Sequence, residues 1–440
     1  MLRERPLDDI LKAFVKTGAE RLLVKRLAEN DNSKNQVYLA GNFAPTNLIP
    51  IGPTVVQTSD QGNQVLHAPL EMFWLCENGE LAHAPHAKLI LYPQYPEVRF
   101  SGFLRGSTGA PADLMNERAR LAGRLLFFGV RPDRTVVVFV IPPTSPAARE
   151  LEQSAALSDR GALSELPLKS TNPKHDVLAK LRAISNLGWI ESVKLDAGGM
   201  TTPCSARNCG GYTLEAQFGV TPNGRAEPDY FGWELKQYGA RNFTTYTAKS
   251  LVTLFTPEPT TGMYVEQGVI PFVKAYGYAA TNGTVDRINF GGRHKIDRKD
   301  IRTRLTLHLE GFDHDREKIV DASGGLILRG ERDEIAAGWP FSTLLDHWNR
   351  KHAQAVYVPS LRRDSPPMYR FGPVCWMGEG TDFTKFLKAV SIGAVTYDPG
   401  IKVENASSAK PKPKLRSQFR ISVSKLNMLY DRFEQHHAVP

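Results

Sequence analysis

Two carboxylates and a lysine lie close together near the middle of the chain, at Asp229, Glu234 and Lys236. Because Glu234 and Lys236 are two residues apart, their side chains project from the same face if the segment is a β-strand. Trp233 and Leu235 then take the opposite face, where apolar side chains can pack against a helix. Asp229 falls at the turn or strand end before them. The spacing therefore predicts that two carboxylates and one ammonium group converge on one point.

The chemistry that such a group suits is hydrolysis of a phosphodiester. That reaction needs a hard cation to polarise the phosphoryl oxygen and to activate an attacking water. Mg²⁺ prefers oxygen ligands and keeps several waters, so Asp229 and Glu234 with a substrate phosphate suffice to hold it, and Mn²⁺ is a candidate substitute. Lys236 can orient the water and stabilise developing charge. Glu215, which we expect to come from a helix, would supply a further carboxylate.

The same pattern of Asp, Glu and Lys also occurs by chance, often as a solvated strand face that carries a salt bridge. Here the flanking sequence PDYFGW is apolar and aromatic, so three charged groups would be pressed into a poorly solvated setting. Uncompensated burial of charge is costly, and a bound cation is a natural compensation. We therefore favour the catalytic interpretation.

This stretch resembles the active-site region of the MvaI/BcnI type II restriction endonucleases, members of the PD-(D/E)XK superfamily that are related to MutH. The segments GGYTLEAQFGV, EPDYFGWELK and LFTPEP each resemble a segment of that family. The resemblance extends over residues 171–400 and implies an α/β fold, with a mixed sheet flanked by helices and DNA bound in a cleft. It also implies that the family's catalytic positions are occupied here by Glu215, Asp229, Glu234 and Lys236.

The elements around this site divide the chain into three parts. Residues 1–150 predict an α+β accessory domain with an antiparallel sheet, since runs such as VVVFVIPP are typical of buried strands. Its role is left open between DNA binding, sensing and regulation. Residues 151–173 are rich in Ser, Ala and Pro and predict a linker. Residues 174–440 predict a mixed α/β endonuclease domain that ends in a helix over ISVSKLNMLYDRFEQHH.

Positive charge is concentrated in the later part of the chain. The net charge is +9, yet residues 1–170 hold 19 basic and 18 acidic side chains. Such an excess is expected of a region that meets a polyanion. The segment 287–304 predicts contacts to phosphates or guanines, although a solvated loop and helix face would have the same composition. The residues that we predict to contact DNA are Arg225, Arg287, Arg293, His294, Lys295 and Arg298.

Two further features have less specific interpretations. The basic loop Lys410–Arg420 is either a clamp on the DNA backbone or a flexible linker. Cys204 and Cys209 form a C-x4-C pair that is too loose for zinc, and we expect reduced cysteines in a loop. No apolar run approaches the roughly 20 residues that span a bilayer, and the charged N-terminus does not resemble a signal peptide. We therefore expect a cytoplasmic prokaryotic protein that makes no membrane contact.

The leading hypothesis is a type II restriction endonuclease that acts on double-stranded DNA. One alternative is a nuclease effector of an anti-phage defence system, gated by residues 1–150 and with little sequence preference. Another is a DNA-binding module without catalysis, against which the complete set of carboxylates and lysine argues. A cognate methyltransferase or a defence-system protein is a candidate partner.

Overall fold

The computed structural model divides into two compact units, Met1–Asn172 and Pro173–Pro440. No helix in the part of the chain that the structure describes is long and apolar enough to cross a membrane. The described residues are 1–29, 34–58, 62–116, 121–153, 158–160, 163–168, 173–206, 208–221, 229–230, 232–281 and 284–437.

The first unit contains two β-sheets. After a 3₁₀ turn at Leu2–Glu4, its helices are α1 (Leu7–Lys16), α2 (Pro45–Leu48), α3 (Ala112–Met115) and α4 (Pro146–Gln153). Its strands are β1 (Arg21–Arg26), β2 (Val37–Ala40), β3 (Val55–Thr58), β4 (Gln64–Pro69), β5 (Met72–Leu75), β6 (Leu81–His83), β7 (Lys88–Tyr92), β8 (Glu97–Ser101), β9 (Leu125–Val130), β10 (Val136–Ile141), β11 (Ser158–Arg160) and β12 (Leu163–Leu166). The orders are β11-β12-β1-β9-β10-β5-β6 and β2-β8-β7-β4-β3. All pairs are antiparallel except β10 with β5.

The core of this unit follows from the apolar strands. Every residue of β10 is buried, as the run VVVFVI predicts. Ile10 and Phe14 of helix α1 are buried and pack against the sheet. The ring centroids of Phe14 and Phe127 are 6.1 Å apart. Burial of each such side chain contributes about 1.5–3 kcal/mol.

Part of the segment predicted as a linker belongs to this sheet. Strand β12 pairs with β1, with Leu22 opposite Leu166, and both Leu163 and Leu166 are buried. The Ser- and Ala-rich composition around them hid a strand that buries two leucines and also forms an ion pair with β1, between Glu165 and Arg21 at 2.9 Å. Pairing with β1 overrides the low local propensity.

The second unit is larger and mixes helices with several sheets. Its helices are α5 (Pro173–Asn186), α6 (Cys209–Phe218), α7 (Met263–Glu266), α8 (Val269–Tyr276), α9 (Phe341–Lys351) and α10 (Phe383–Ser391), with a 3₁₀ helix at Val423–Leu429. Its strands are β13 (Trp189–Glu191), β14 (Val193–Leu195), β15 (Thr201–Pro203), β16 (Glu234–Gly239), β17 (Val252–Phe255), β18 (Tyr278–Ala279), β19 (Arg287–Gly291), β20 (Thr306–Glu310), β21 (Phe312–Asp313), β22 (Lys318–Ile319), β23 (Gly325–Arg329), β24 (Ile335–Pro340), β25 (Gln354–Asp364), β26 (Pro367–Phe371), β27 (Val374–Glu379), β28 (Val395–Tyr397), β29 (Gly400–Glu404), β30 (Lys412–Lys414), β31 (Phe419–Ile421) and β32 (Arg432–His437).

The main sheet of this unit has the order β13-β26-β25-β27-β32, and β16 also pairs with β25. Strand β16 runs parallel to β25, with Glu234 opposite Ala355 and Lys236 opposite Tyr357. The other pairs of this sheet are antiparallel. Helices α5 and α6 pack on one face through Leu181 and Leu214. The predicted α/β fold class with a mixed sheet is confirmed.

The predicted C-terminal helix is wrong. The chain forms the 3₁₀ helix Val423–Leu429 and then strand β32, which pairs along the whole of β27. The apolar spacing of Leu426, Leu429 and Phe433 imitates a helix. The edge of β27 nevertheless offers a row of backbone donors and acceptors, and pairing satisfies them along its length.

The packing above β27 yields a stability prediction. Gly378 has no side chain, and a Cβ atom built there would lie 2.5 Å from a ring carbon of Tyr430. We expect Gly378→Ala to lower the free energy of unfolding of this unit by about 1–3 kcal/mol, because the ring must move. Chemical denaturation followed by circular dichroism measures the change.

Gly211 provides the matched control. A Cβ there would meet only a carboxylate oxygen of Glu215, at 3.9 Å, inside helix α6. Gly211→Ala should leave stability unchanged or raise it by up to about 1 kcal/mol. Equal unfolding midpoints for the two variants would contradict tight packing around Tyr430.

Candidate active site

Glu234 and Lys236 open strand β16 and form an ion pair. Lys236 Nζ donates to Glu234 Oε1 at 2.6 Å, and the two side chains are 17% and 3% exposed, respectively. The spacing alone also allowed a solvated strand face with a salt bridge. The salt bridge is present, but the glutamate is buried, so the face is not a solvated one.

Asp229 is attached to the start of the same strand. Its Oδ2 accepts the backbone N–H of Leu235 at 2.8 Å. Tyr230 and Trp233 exchange two backbone hydrogen bonds, of 3.0 and 2.8 Å, and these hold the segment against the strand. Asp229 is therefore bonded to the residue between Glu234 and Lys236, and convergence of the three charged side chains on one point stays a prediction.

The opposite face of β16 packs on helix α6. Trp233 and Leu235 are buried in one cluster with Leu214 and Phe218 of α6, which confirms the predicted apolar contact. Glu215 follows Leu214 and is half-buried.

A buried threonine fixes the position of this helix. The hydroxyl of Thr213 donates to the carbonyl oxygen of Val193 at 3.1 Å and accepts from its N–H at 3.2 Å. The helix that bears Glu215 is thus tied to β14 as well as to the main sheet. A catalytic role for Glu215 stays a prediction.

Two buried tyrosines lie near the ion pair, and sequence reasoning missed them. Tyr357 pairs in register with Lys236, so both side chains leave the sheet on the same side. Its hydroxyl lies 2.7 Å from that of Tyr430. Burial raises the pKa of both phenols, and the charge of Glu234 raises it further. Both groups are therefore neutral hydroxyls at physiological pH. The strand VYVP was a sequence signal for Tyr357, whereas Tyr430 lies in the segment that the sequence predicted as a helix.

The carboxylates fit a divalent cation by their donor chemistry. Asp229 and Glu234 provide oxygen ligands, and Mg²⁺ sites commonly use one or two carboxylates with waters and substrate phosphate. Among the described residues, no group of three or more His, Cys, Asp and Glu side chains could hold a metal ion. A cation at this position would therefore need solvent and substrate oxygens to complete its coordination.

The residues predicted to contact DNA differ in accessibility. Arg293, Lys295 and Arg298 are exposed, whereas Arg287 is half-buried on β19. Arg225 lies outside the described residues. The exposed three are accessible to a polyanion, and their role stays a prediction.

His294 is buried, and its assignment to DNA contact is wrong. Its Nε2 lies 2.9 Å from Thr303 Oγ1, and its backbone exchanges hydrogen bonds with Tyr397. The ring stacks on Phe290 with 5.6 Å between centroids. Composition could not distinguish His294 from its neighbours Arg293 and Lys295, which face solvent. The backbone hydrogen bonds with Tyr397 are a tertiary contact, and they turn His294 inward.

The loop Lys410–Arg420 contains a short strand. Strand β30 pairs with β29, and Glu404 accepts from Lys402 and Lys414 at 2.9 and 3.1 Å. These hydrogen bonds lower the pKa of Glu404 to about 2. Residues 412–414 therefore form one strand of a hairpin in which Glu404 pairs with Lys414, and they are not a flexible linker at this point.

The two cysteines of the C-x4-C pair are not reduced, contrary to the expectation from the sequence. Cys204 and Cys209 form a disulfide at the start of α6, instead of two reduced cysteines. Cys209 is the first residue of the helix, and both cysteines are buried. Both cysteines lie in the apolar cluster that α6 shares with the main sheet, and the spacing of the two residues alone could not indicate that position.

Comparisons with known proteins relate the second unit to restriction enzymes. The model of the MvaI/BcnI restriction endonuclease family matches residues 178–430. A solved complex of restriction endonuclease MvaI with its cognate DNA substrate is similar at 16% identity and a TM-score of 0.45, covering 62% of this chain and 100% of that one. MvaI in the absence of DNA is similar at 17% identity and a TM-score of 0.33, covering 61% and 99%. No curated protein matches the chain.

The buried position of His294 predicts how stability depends on pH. Desolvation lowers the pKa of His294 in the folded chain from its ordinary 6.5, so the unfolded chain binds the proton more readily. Stability from this group is therefore present above about pH 6.5 and is lost as the pH falls below that value. We expect the stability difference between the wild type and His294→Gln to shrink from pH 7.5 to about pH 5. A difference that does not change with pH would contradict a buried neutral imidazole.

Proposed function

The chain belongs to the MvaI/BcnI restriction endonuclease family, and from that membership in a family of DNA endonucleases we propose that it is a type II enzyme that cuts double-stranded DNA at specific sites. The observation that carries the proposal is the buried Glu234–Lys236 pair with Asp229 beside it. An ion pair that only kept the protein soluble would lie on the surface, exposed to water. Burial strengthens electrostatic interactions with a phosphate, because water screens them less.

We assign the metal-binding role to Asp229 and Glu234, with Mg²⁺ as the cofactor and Mn²⁺ as a substitute. When bound, the ion polarises the phosphoryl oxygen and makes a bound water more acidic. Lys236 has three ammonium protons and donates one to Glu234 Oε1. The other two can orient a water and stabilise charge on the phosphate. Glu215 adds a negative charge from α6.

The exposed cations Arg293, Lys295 and Arg298 would contact DNA. Arginine can contact guanine in the major groove through two hydrogen bonds, and lysine pairs with phosphates. Arg287 is half-buried on β19, so less of its side chain is accessible to DNA. We expect it to contribute less than the exposed residues.

The biological setting is also a proposal. An enzyme that cuts DNA at specific sites acts in the cytoplasm and needs its host sites protected, so a cognate methyltransferase is the expected partner. The alternative is an effector of an anti-phage defence system, gated by the first unit and with little sequence preference. The two differ in the pattern of fragments that they produce.

Cleavage of plasmid DNA tests the active site. With Mg²⁺ we expect discrete fragments, and with EDTA none. Lys236→Ala and Glu234→Gln should each lower the cleavage rate by about 100-fold or more, because the first removes a charge that acts on the phosphate and the second removes a charged metal ligand. Gel electrophoresis over a time course measures the rates.

Lys385→Ala is the control, because Lys385 also pairs with a carboxylate, Asp431, at 2.7 Å. It should cleave at the wild-type rate. A smear that depends on Mg²⁺ and on Lys236 would favour the defence effector. Full activity of Lys236→Ala would overturn the assignment of the site.

The DNA contact is tested by the salt dependence of binding. Arg298→Ala should weaken binding, and it should make the slope of log K against log salt less negative by about 0.9, because one phosphate contact is lost. Arg316→Ala is the control, since Arg316 is exposed but lies next to Asp313. Fluorescence anisotropy in EDTA gives both slopes. An unchanged slope for Arg298→Ala would remove this residue from the interface.

A further inference from the structure

The first unit has a cleft that the candidate active site does not use. Its volume is about 600 Å³, and residues of β1, β2, β7 and β8 line it. It therefore opens where the seven-stranded sheet and the five-stranded sheet of this unit approach each other. The volume is sufficient for a small organic ligand.

The described lining of this cleft is strongly basic. Glu29 is its one carboxylate. Its cations are Lys25, Arg26, Lys34, Arg99 and Arg124. Glu152 pairs with Arg26 at 2.8 Å and Glu97 pairs with Arg99 at 2.8 Å, which compensates two of them. Since residues 1–170 are nearly neutral in total, the fold has gathered positive charge at this position.

Two aromatic rings lie among these cations. Tyr38 is 49% exposed, although it lies on a strand whose other residues are buried. Lys25 Nζ lies 5.7 Å from the centre of its ring, and Arg99 Cζ lies 5.2 Å from that of Tyr92. An accessible ring beside a cation is a surface on which a planar base can stack while its phosphate meets the positive charge.

The floor of the cleft is ordered by a buried amide. Gln36 is 7% exposed, and its Oε1 accepts from the Tyr92 hydroxyl at 3.3 Å and from Arg99 Nη1 at 3.4 Å. Three lining side chains from β7, β8 and the segment before β2 are thereby fixed relative to one another. A site that is ordered before binding loses less entropy when a ligand enters.

We propose that this basic and aromatic cleft binds a nucleotide unit, with the base on Tyr38 and the phosphate near Lys25 and Arg99. The chemistry is the same whether the unit belongs to a DNA strand or is a free nucleotide. The cleft would thus be a nucleotide-binding site in the first unit, separate from the candidate active site. It requires neither a metal ion nor cleavage, so it does not depend on the proposed function.

The test uses the full chain in EDTA, which prevents metal-dependent cleavage. The probes are a fluorescein-labelled single strand of 12 nucleotides and deoxyadenosine monophosphate. Tyr38→Ala should raise the Kd for the strand by about tenfold, because a stacking surface is lost. Lys25→Ala should raise it by a smaller factor and make the salt slope less negative.

Two exposed residues outside the cleft provide matched controls. Tyr95 is 70% exposed, and Lys16 is an exposed residue of α1. Tyr95→Ala and Lys16→Ala should bind the strand as the wild type does. Circular dichroism confirms that all four variants are folded.

Hydrogen exchange locates the bound probe, because the nuclease unit also binds DNA under the proposed function. Protection of β1, β2 and β8 by the strand, lost in Tyr38→Ala, identifies a DNA segment as the ligand. Protection of the same strands by deoxyadenosine monophosphate alone identifies a free nucleotide. Protection confined to the second unit, or wild-type affinity in both cleft variants, would overturn the proposal. A chain that fails to cleave DNA can still show the protection in the first unit, so the two proposals fail separately.

Discussion

The ion pair between Lys236 and Glu234 governs much of the second unit, because two charges 2.6 Å apart with the glutamate only 3% exposed must be supported from every side. Removing charges from water costs several kcal/mol per ion unless geometry and hydrogen bonds compensate. The main sheet supplies that geometry through the parallel pairing of β16 with β25, which fixes the strand on which both residues lie. Helix α6 covers the apolar face of the same strand.

Local spacing was enough to predict the part of the site that one short segment provides. Glu234 and Lys236 share a face because strands alternate, and Asp229 is only five residues away from Glu234. The tyrosines near the pair could not be predicted in this way, because Tyr357 and Tyr430 reach it through sheet register and a distant segment. The same limit explains His294, which is turned inward by a bridge to Tyr397, about one hundred residues further along the chain.

Amino-acid composition predicted the structure of a segment correctly where the whole segment has one character. It was misleading where a few residues determine the structure. The apolar run of β10 is buried throughout, as its sequence indicates. By contrast, part of the segment predicted as a linker joins a sheet, where it buries two leucines and forms one ion pair. The near-neutral charge of residues 1–170 likewise gave no sign of the basic cleft, since a total charge contains no information about placement.

The C-terminal segment has a consequence for the order in which the protein is made. Strand β31 lies between β17 and β28, and β32 forms an edge of the main sheet. A growing chain on the ribosome therefore has neither sheet complete until residues 419–437 have been synthesised. Pairings between strands that are distant in the sequence are slow to form, because the entropy cost of closing a long loop precedes the favourable contacts. The strand that carries Glu234 and Lys236 is synthesised some two hundred residues before the sheet around it can close. The sheets of the second unit are thus completed only after residues 419–437 have been synthesised.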